Sequence, residues 1–286
     1  MIARLLVLVG GSPFGLRAVP YAAWLAAAGG EVLLVRAATA DEPREDAELE
    51  VAHAVGCLQR RGLAARACVQ GAGDCGAADV VLAAQRAYQA DLIVLATHGG
   101  RGPERLPWGR TADEVLRRAP VPVLLAPKRS QQTWPRRRAL RVLLWLDASQ
   151  PREPALRLVT RLATIRAIRL ILTGLAGSVR PVGADTWATI DVLASTAMEC
   201  LNDYLDEVAS RMLLAGAETS VYGGSSNPGP RLADLARDEH CDVVVLATTS
   251  HRAVLRALIG DAAPHCRYRS SVPLLLMPRA VPAPST

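Results

Sequence analysis

Residues Asp91–Ala126 read DLIVLATHGGRGPERLPWGRTADEVLRRAPVPVLLA. Asp91–Ala96 is a short unbroken apolar run of strand length, and Thr97–Gly102 is a glycine-rich turn. Pro103–Trp108 is irregular, Gly109–Ala119 reads as a helix, and Pro120–Ala126 is a second apolar strand. Strands without polar alternation are buried on both faces, as in a parallel sheet covered by helices. A glycine turn between such a strand and a helix N-terminus gathers backbone N–H groups that suit an anion.

The stretch occurs twice. D-L-I-V-L-A-T at Asp91–Thr97 returns as D-V-V-V-L-A-T at Asp242–Thr248, an offset of 242 − 91 = 151. Val121–Pro127 returns as Val272–Pro278, and Gly109 as Gly260, at the same offset. Arg4–Ser12 matches Arg141–Ser149, with 141 − 4 = 137. The second copy therefore carries 151 − 137 = 14 additional residues before its fourth strand. Each copy is of domain size, so this is a tandem duplication and not a solenoid.

Working outward, strand one is Ala3–Val9 and helix one runs from Ser12-Pro13 to about Ala28. Strand two is Glu31–Ala37, and an acidic loop, Asp41–Asp46, leads to helix two at about Ala47–Arg61. Strand three is Ala64–Gln70 and helix three about Ala77–Gln89. The second copy repeats the order, with a glycine-rich loop at Gly174–Asp185 and a long helix at Trp187–Leu214 absorbing the extra residues. Its last helix is expected at Ile259–Arg267 and its last strand at Val272–Met277. The expected architecture is α/β: two tandem doubly wound parallel five-stranded sheets flanked by helices. The domains are 1–128 and 140–279, with 129–139 as linker and 280–286 as a disordered tail.

Composition narrows the function. At 286 residues and 50% hydrophobic the chain can bury two cores. No apolar run approaches the ~20 residues of a membrane span, and the N-terminal run reads as strand one and not as a signal peptide. Six cysteines lie scattered without a C-x-x-C pair. They are expected to be buried thiols in a cytoplasmic protein, and no metal site is expected. A net charge of +6, mostly arginine, suits an anionic ligand. Aromatics at 4% argue against a stacking nucleic-acid surface.

With these residues in view, the chain resembles the universal stress protein family in its tandem two-domain form. Nucleotide-binding members carry G-x2-G-x9-G-(S/T) after the fourth strand. Here those positions are Ala96, Gly99 and Gly109, followed by Arg110, with Thr111 one place later. Gly10 stands where the family has an Asp at the end of strand one. The second copy reads Ala247, Ser250, Gly260 and Asp261 and keeps that Asp as Asp147. A turn glycine is lost there, and a carboxylate stands where an anion would sit.

The resemblance implies that ATP or another adenine nucleotide binds copy one, its phosphates against Gly99, Gly102, Gly109, Arg110 and Thr111. The base would meet the backbone near Ala37. It also implies a regulatory, stress-response module, with no base or metal ligand to support catalysis, and antiparallel pairing of the two fifth strands as a pseudo-dimer. Two other readings stay open: a nucleotide-free scaffold for unknown protein partners, and a weak nucleotide hydrolase. Further association into a homodimer also stays open. Gly71–Gly76 is a literal G-x-G-x-x-G, but it follows the third strand and no acid stands at the end of the next, so it reads as a turn. His98 reads as a turn residue and Arg136–Arg138 as a solvated linker run.

Overall fold

The computed structural model describes residues 2–10, 15–26, 29–39, 42–73, 75–97, 109–127, 138–147, 153–175, 187–214, 217–222, 228–247 and 272–278. Contacts divide the chain into two compact units, Met1–Trp134 with Arg267–Thr286, and Pro135–Cys266.

In the first unit the strands are β1 (Arg4–Val9), β2 (Glu31–Ala38), β3 (Ala64–Gly71), β4 (Leu92–Ala96) and β5 (Val123–Ala126). The helices are α1 (Val19–Ala26), α2 (Arg44–Gln59), α3 (Ala77–Tyr88) and α4 (Arg110–Arg118). The strand order is β3-β2-β1-β4-β5, with every neighbouring pair parallel. Leu5, Leu6, Val7, Leu34, Leu92 and Leu124 are wholly buried. The central runs are therefore unbroken because both faces lie under helices. Burying each such leucine contributes roughly 1.5–3 kcal/mol.

The second unit holds β6 (Leu140–Asp147), α5 (Glu153–Ile165), β7 (Ile168–Leu175), α6 (Trp187–Leu214), β8 (Glu218–Tyr222), α7 (Pro228–Asp238) and β9 (Val243–Ala247). Its strands are ordered β9-β6-β7-β8, again all parallel. The final strand, β10 (Leu274–Leu276), belongs to the first unit by contacts. It lies antiparallel to β5, with Leu274 opposite Leu125 and Leu276 opposite Val123. The fifth strands of the two copies thus pair, as the resemblance implied.

The duplication extends to a joint at the foot of each sheet. Gln89 and His240, 240 − 89 = 151 residues apart, both take positive φ, at 53° and 49°. The N–H groups of Ala90 and Cys241 donate back to Gln85 and Ala236. Asp91 and Asp242 then donate their own N–H to Arg4 and Arg141, each at 2.8 Å. In return, Oδ2 of Asp91 accepts from the amides of Ala3 and Arg4, and Oδ2 of Asp242 from that of Arg141. The aspartate opening each repeated motif ties the fourth strand of its copy to the first. It is a structural residue.

Several expectations are corrected. Helix two starts at Arg44, three residues early, because Glu45 and Asp46 favour the first turn of a helix. The fifth strands start only after their Val-Pro pairs, since proline lacks a ladder donor. Gly174 and Leu175, expected in a loop, continue β7. The cysteines are not generally buried: Cys241 is, Cys57 and Cys68 are half-buried, and Cys75 and Cys200 are exposed. Cys68 lies on β3, an outer strand largely open to water, and Cys200 on a solvent-facing side of α6. The helix expected at Ile259–Arg267, Cys266, the Ser12-Pro13 cap, and most of the linker and tail lie outside the described residues.

Candidate functional site

The chain order reverses direction between β1 and β4. β1 leads by α1 to β2 on one side, whereas β4 lies on the other. Ligands of open α/β sheets bind beyond the strand carboxyl ends at such a point. Register places the expected residues there. Val9 is opposite Arg36 and Val7 opposite Val94. Continuing both registers brings Gly10, Ala37 and Thr97 to one level across β2, β1 and β4.

Gly10 is half-buried just beyond β1, Ala37 is 6% exposed, and Ala96 is half-buried and paired with Ala126. Gly109 occupies the cap position of α4 with φ 93° and ψ 158°. Only glycine takes that backbone without strain, and it has no side chain to cap the helix. The N–H of Asp113 closes the first turn onto the Gly109 carbonyl at 3.1 Å. The amides ahead of it have no acceptor within the helix. Arg110 is exposed at the first helical position and Thr111 is half-buried. A cation at a positive helix end, without a capping carboxylate at Gly109, gives local potential that favours an anion. Gly99, Gly102 and His98 lie outside the described residues.

Two residues at this edge were not singled out by sequence reasoning. Thr97 is fully buried, and its hydroxyl has no hydrogen-bond partner among the described residues. Arg36 is 3% exposed and pairs with Glu42 and Glu50. A signal for it existed: one arginine in E-V-L-L-V-R-A-A, with an acidic segment following at once. The Gly71–Gly76 turn caps α3 through Gly76 at φ 84°.

The corresponding place in the second unit is built differently. Leu146, the counterpart of Val9, is opposite Gly174. A Cβ on Gly174 would stand 2.8 Å from Leu201 Cδ1 of α6 and 2.9 Å from the Leu146 carbonyl. The long helix thus packs directly on the strand end, where copy one has room for the Arg36 side chain. Ser250, Gly260, Asp261 and the side chain of Asp147 lie outside the described residues.

Among the described residues, no group of three or more His, Cys, Asp or Glu side chains could hold a metal ion. No helix among them is long and apolar enough to cross a membrane.

With this geometry in place, comparison with known proteins gives the class. The model of the universal stress protein family matches residues 1–127 and 139–278. The chain belongs to that family and carries two tandem domains of it. Among solved structures, a universal stress protein from Archaeoglobus fulgidus DSM 4304 is similar at TM-score 0.68 and 14% identity, covering 96% of both chains. A functionally unknown protein from Pseudomonas aeruginosa PAO1 is similar at TM-score 0.62 and 16% identity, over 97% of this chain and 93% of that one. The cytoplasmic domain of a prokaryotic cation chloride cotransporter reaches TM-score 0.58 at 14% identity, over 98% and 96%. At these identities the likeness speaks for the fold. No curated protein matches the chain in sequence.

Proposed function

We propose that the first domain binds an adenine nucleotide such as ATP, and that the chain is a cytoplasmic stress-response module that binds its ligand without turning it over. The observation that carries this is the uncapped α4 N-terminus at Gly109, with Arg110 beside it, at the switch point of the sheet. The phosphates lie against Gly109, Arg110 and Thr111, and the resemblance adds Gly99 and Gly102, which lie outside the described residues. The base lies toward Ala37. The buried Thr97 hydroxyl, unpartnered among the described residues, offers a further polar contact at the same edge. The second domain carries a degenerate site, with Ser250 in place of a turn glycine and Asp261 putting a carboxylate where the anion would sit.

Titration of the nucleotide-free protein with ATP tests the reading. Saturable binding at micromolar to millimolar ligand is expected, and Arg110→Glu lowers affinity about tenfold or more by reversing the charge at the helix end. No binding at millimolar ATP removes the proposal.

A further inference from the structure

α2 buries Ala47, Val51, Ala54 and Leu58 and packs on β2 and β3. Its opposite face is not the charged face that a solvated helix presents. At 3.6 residues per turn, Glu45, Leu49, Ala52, Gly56 and Arg60 fall along one outward line. Leu49 is 72% exposed, more than any other large apolar side chain among the described residues. Gly56 is the second anomaly, because glycine inside a helix is less stable than alanine. Nothing among the described residues calls for it. A Cβ there would meet only Nη1 of Arg60 at 3.3 Å, the far end of a flexible side chain.

The charges are sorted along the same face. Glu45 and Asp46 are exposed at its N-terminal end, Arg60 and Arg61 at its C-terminal end. Arg44 is already paired with Glu48 at 2.7 Å. Arg60 donates to the Cys57 thiol at 3.2 Å, a weak acceptor that a carboxylate would outcompete. These features complement one another when the helix is turned end for end. Leu49 and Gly56 are centred on the point between Ala52 and His53, and so are Glu45 and Arg60. A two-fold axis through that point sets the leucine of each helix over the glycine notch of the other. It sets Ala52 against His53, and each Glu45 against an Arg60. Such a contact is isologous, so every pairing occurs twice.

We propose that the outward face of α2 is a self-docking surface, through which two copies of the chain associate with their α2 helices antiparallel and Leu49 of each seated on Gly56 of the other. A single helix pair covers less than the about 1,200–2,000 Å² of a standard interface, so the dimer is weak, with a dissociation constant of about 10–300 µM. Sedimentation equilibrium of the full chain reads this. Leu49→Gln is expected to weaken association about tenfold by removing the apolar knob. Gly56→Leu fills the notch and weakens it about as much. Its urea midpoint should not fall, because leucine is the better helix former, so loss of fold does not explain the loss of dimer. Arg60→Glu weakens the dimer about fivefold, and adding Glu45→Arg restores it to within about threefold of wild type, since the pair is then only reversed. A chain that stays monomeric at about 1 mM overturns the inference. A dimer that Leu49→Gln and Gly56→Leu leave unchanged uses another face and overturns it as well.

Discussion

Cys241 and Cys75 show how far burial separates two residues of one type. Cys241 stands at 5% exposure behind the His240 turn, and burial, with Glu239 and Asp242 nearby, pushes its thiol up to about 12. Cys75 is exposed in the turn before α3. Thiolate is the reactive form, so iodoacetamide at pH 8 is expected to modify Cys75 and Cys200 and to spare Cys241 until the chain unfolds. Mass spectrometry of the digested protein reads this directly, and equal labelling of Cys241 would contradict it. The sign of the pH effect follows. The folded state holds the Cys241 proton to higher pH than the unfolded chain, whose thiol titrates near 9.0. Stability is therefore lost as pH rises from 9 toward 12, by roughly 1.4 kcal/mol per pH unit from this group. Cys241→Ala should flatten the decline in urea midpoints between pH 9 and 11 relative to wild type. Neither residue's exposure is legible in a cysteine count, because C-V-Q-G-A-G-D-C and H-C-D read as similar surroundings until the edge strand and the core are distinguished.

At the scale of elements, the repeated aspartates and the α4 start have different legibility. The recurrence of Asp91 and Asp242 was visible in the sequence, but their work was not. Each carboxylate reaches back by more than 80 residues to the first strand of its copy (91 − 4 = 87 and 242 − 141 = 101). Only the register brings those atoms together. Gly109 was legible as the glycine that opens the fourth helix, but its φ of 93° at the cap position was not. Gly174 was read as loop and proved to be strand, with its glycine demanded by Leu201 and not by a turn. Gly174→Ala is expected to cost about 1–3 kcal/mol through overpacking. Urea unfolding followed by far-ultraviolet circular dichroism measures this, and an unchanged midpoint would mean that α6 is not seated on β7. The variant should leave ATP binding intact, since the proposed site lies in the other unit.

For the whole molecule, the last strand is the informative part. β10 comes from the second copy in sequence, yet lies against β5 in the first unit. Val123–Ala126 is buried throughout, at no more than 2% exposure. A chain that ends at Cys266 uncovers this flat apolar edge, and such edges recruit other strands. Light scattering of the shortened protein is expected to show more concentration-dependent association than the full chain does under the same conditions. A shortened chain that remains monomeric at high concentration would show that β5 does not need β10.

The sequence by itself determined the α/β class, the duplication and the glycine that opens α4. These follow from short-range signals: unbroken apolar runs, helix punctuation, glycines at fixed spacing, and an offset that repeats. The tertiary structure alone decided that Gly174 lies beneath α6 and that β10 completes the first unit. Each of these depends on which strand ends lie side by side. That is a matter of register and crossover, and residues close in the chain carry no record of it.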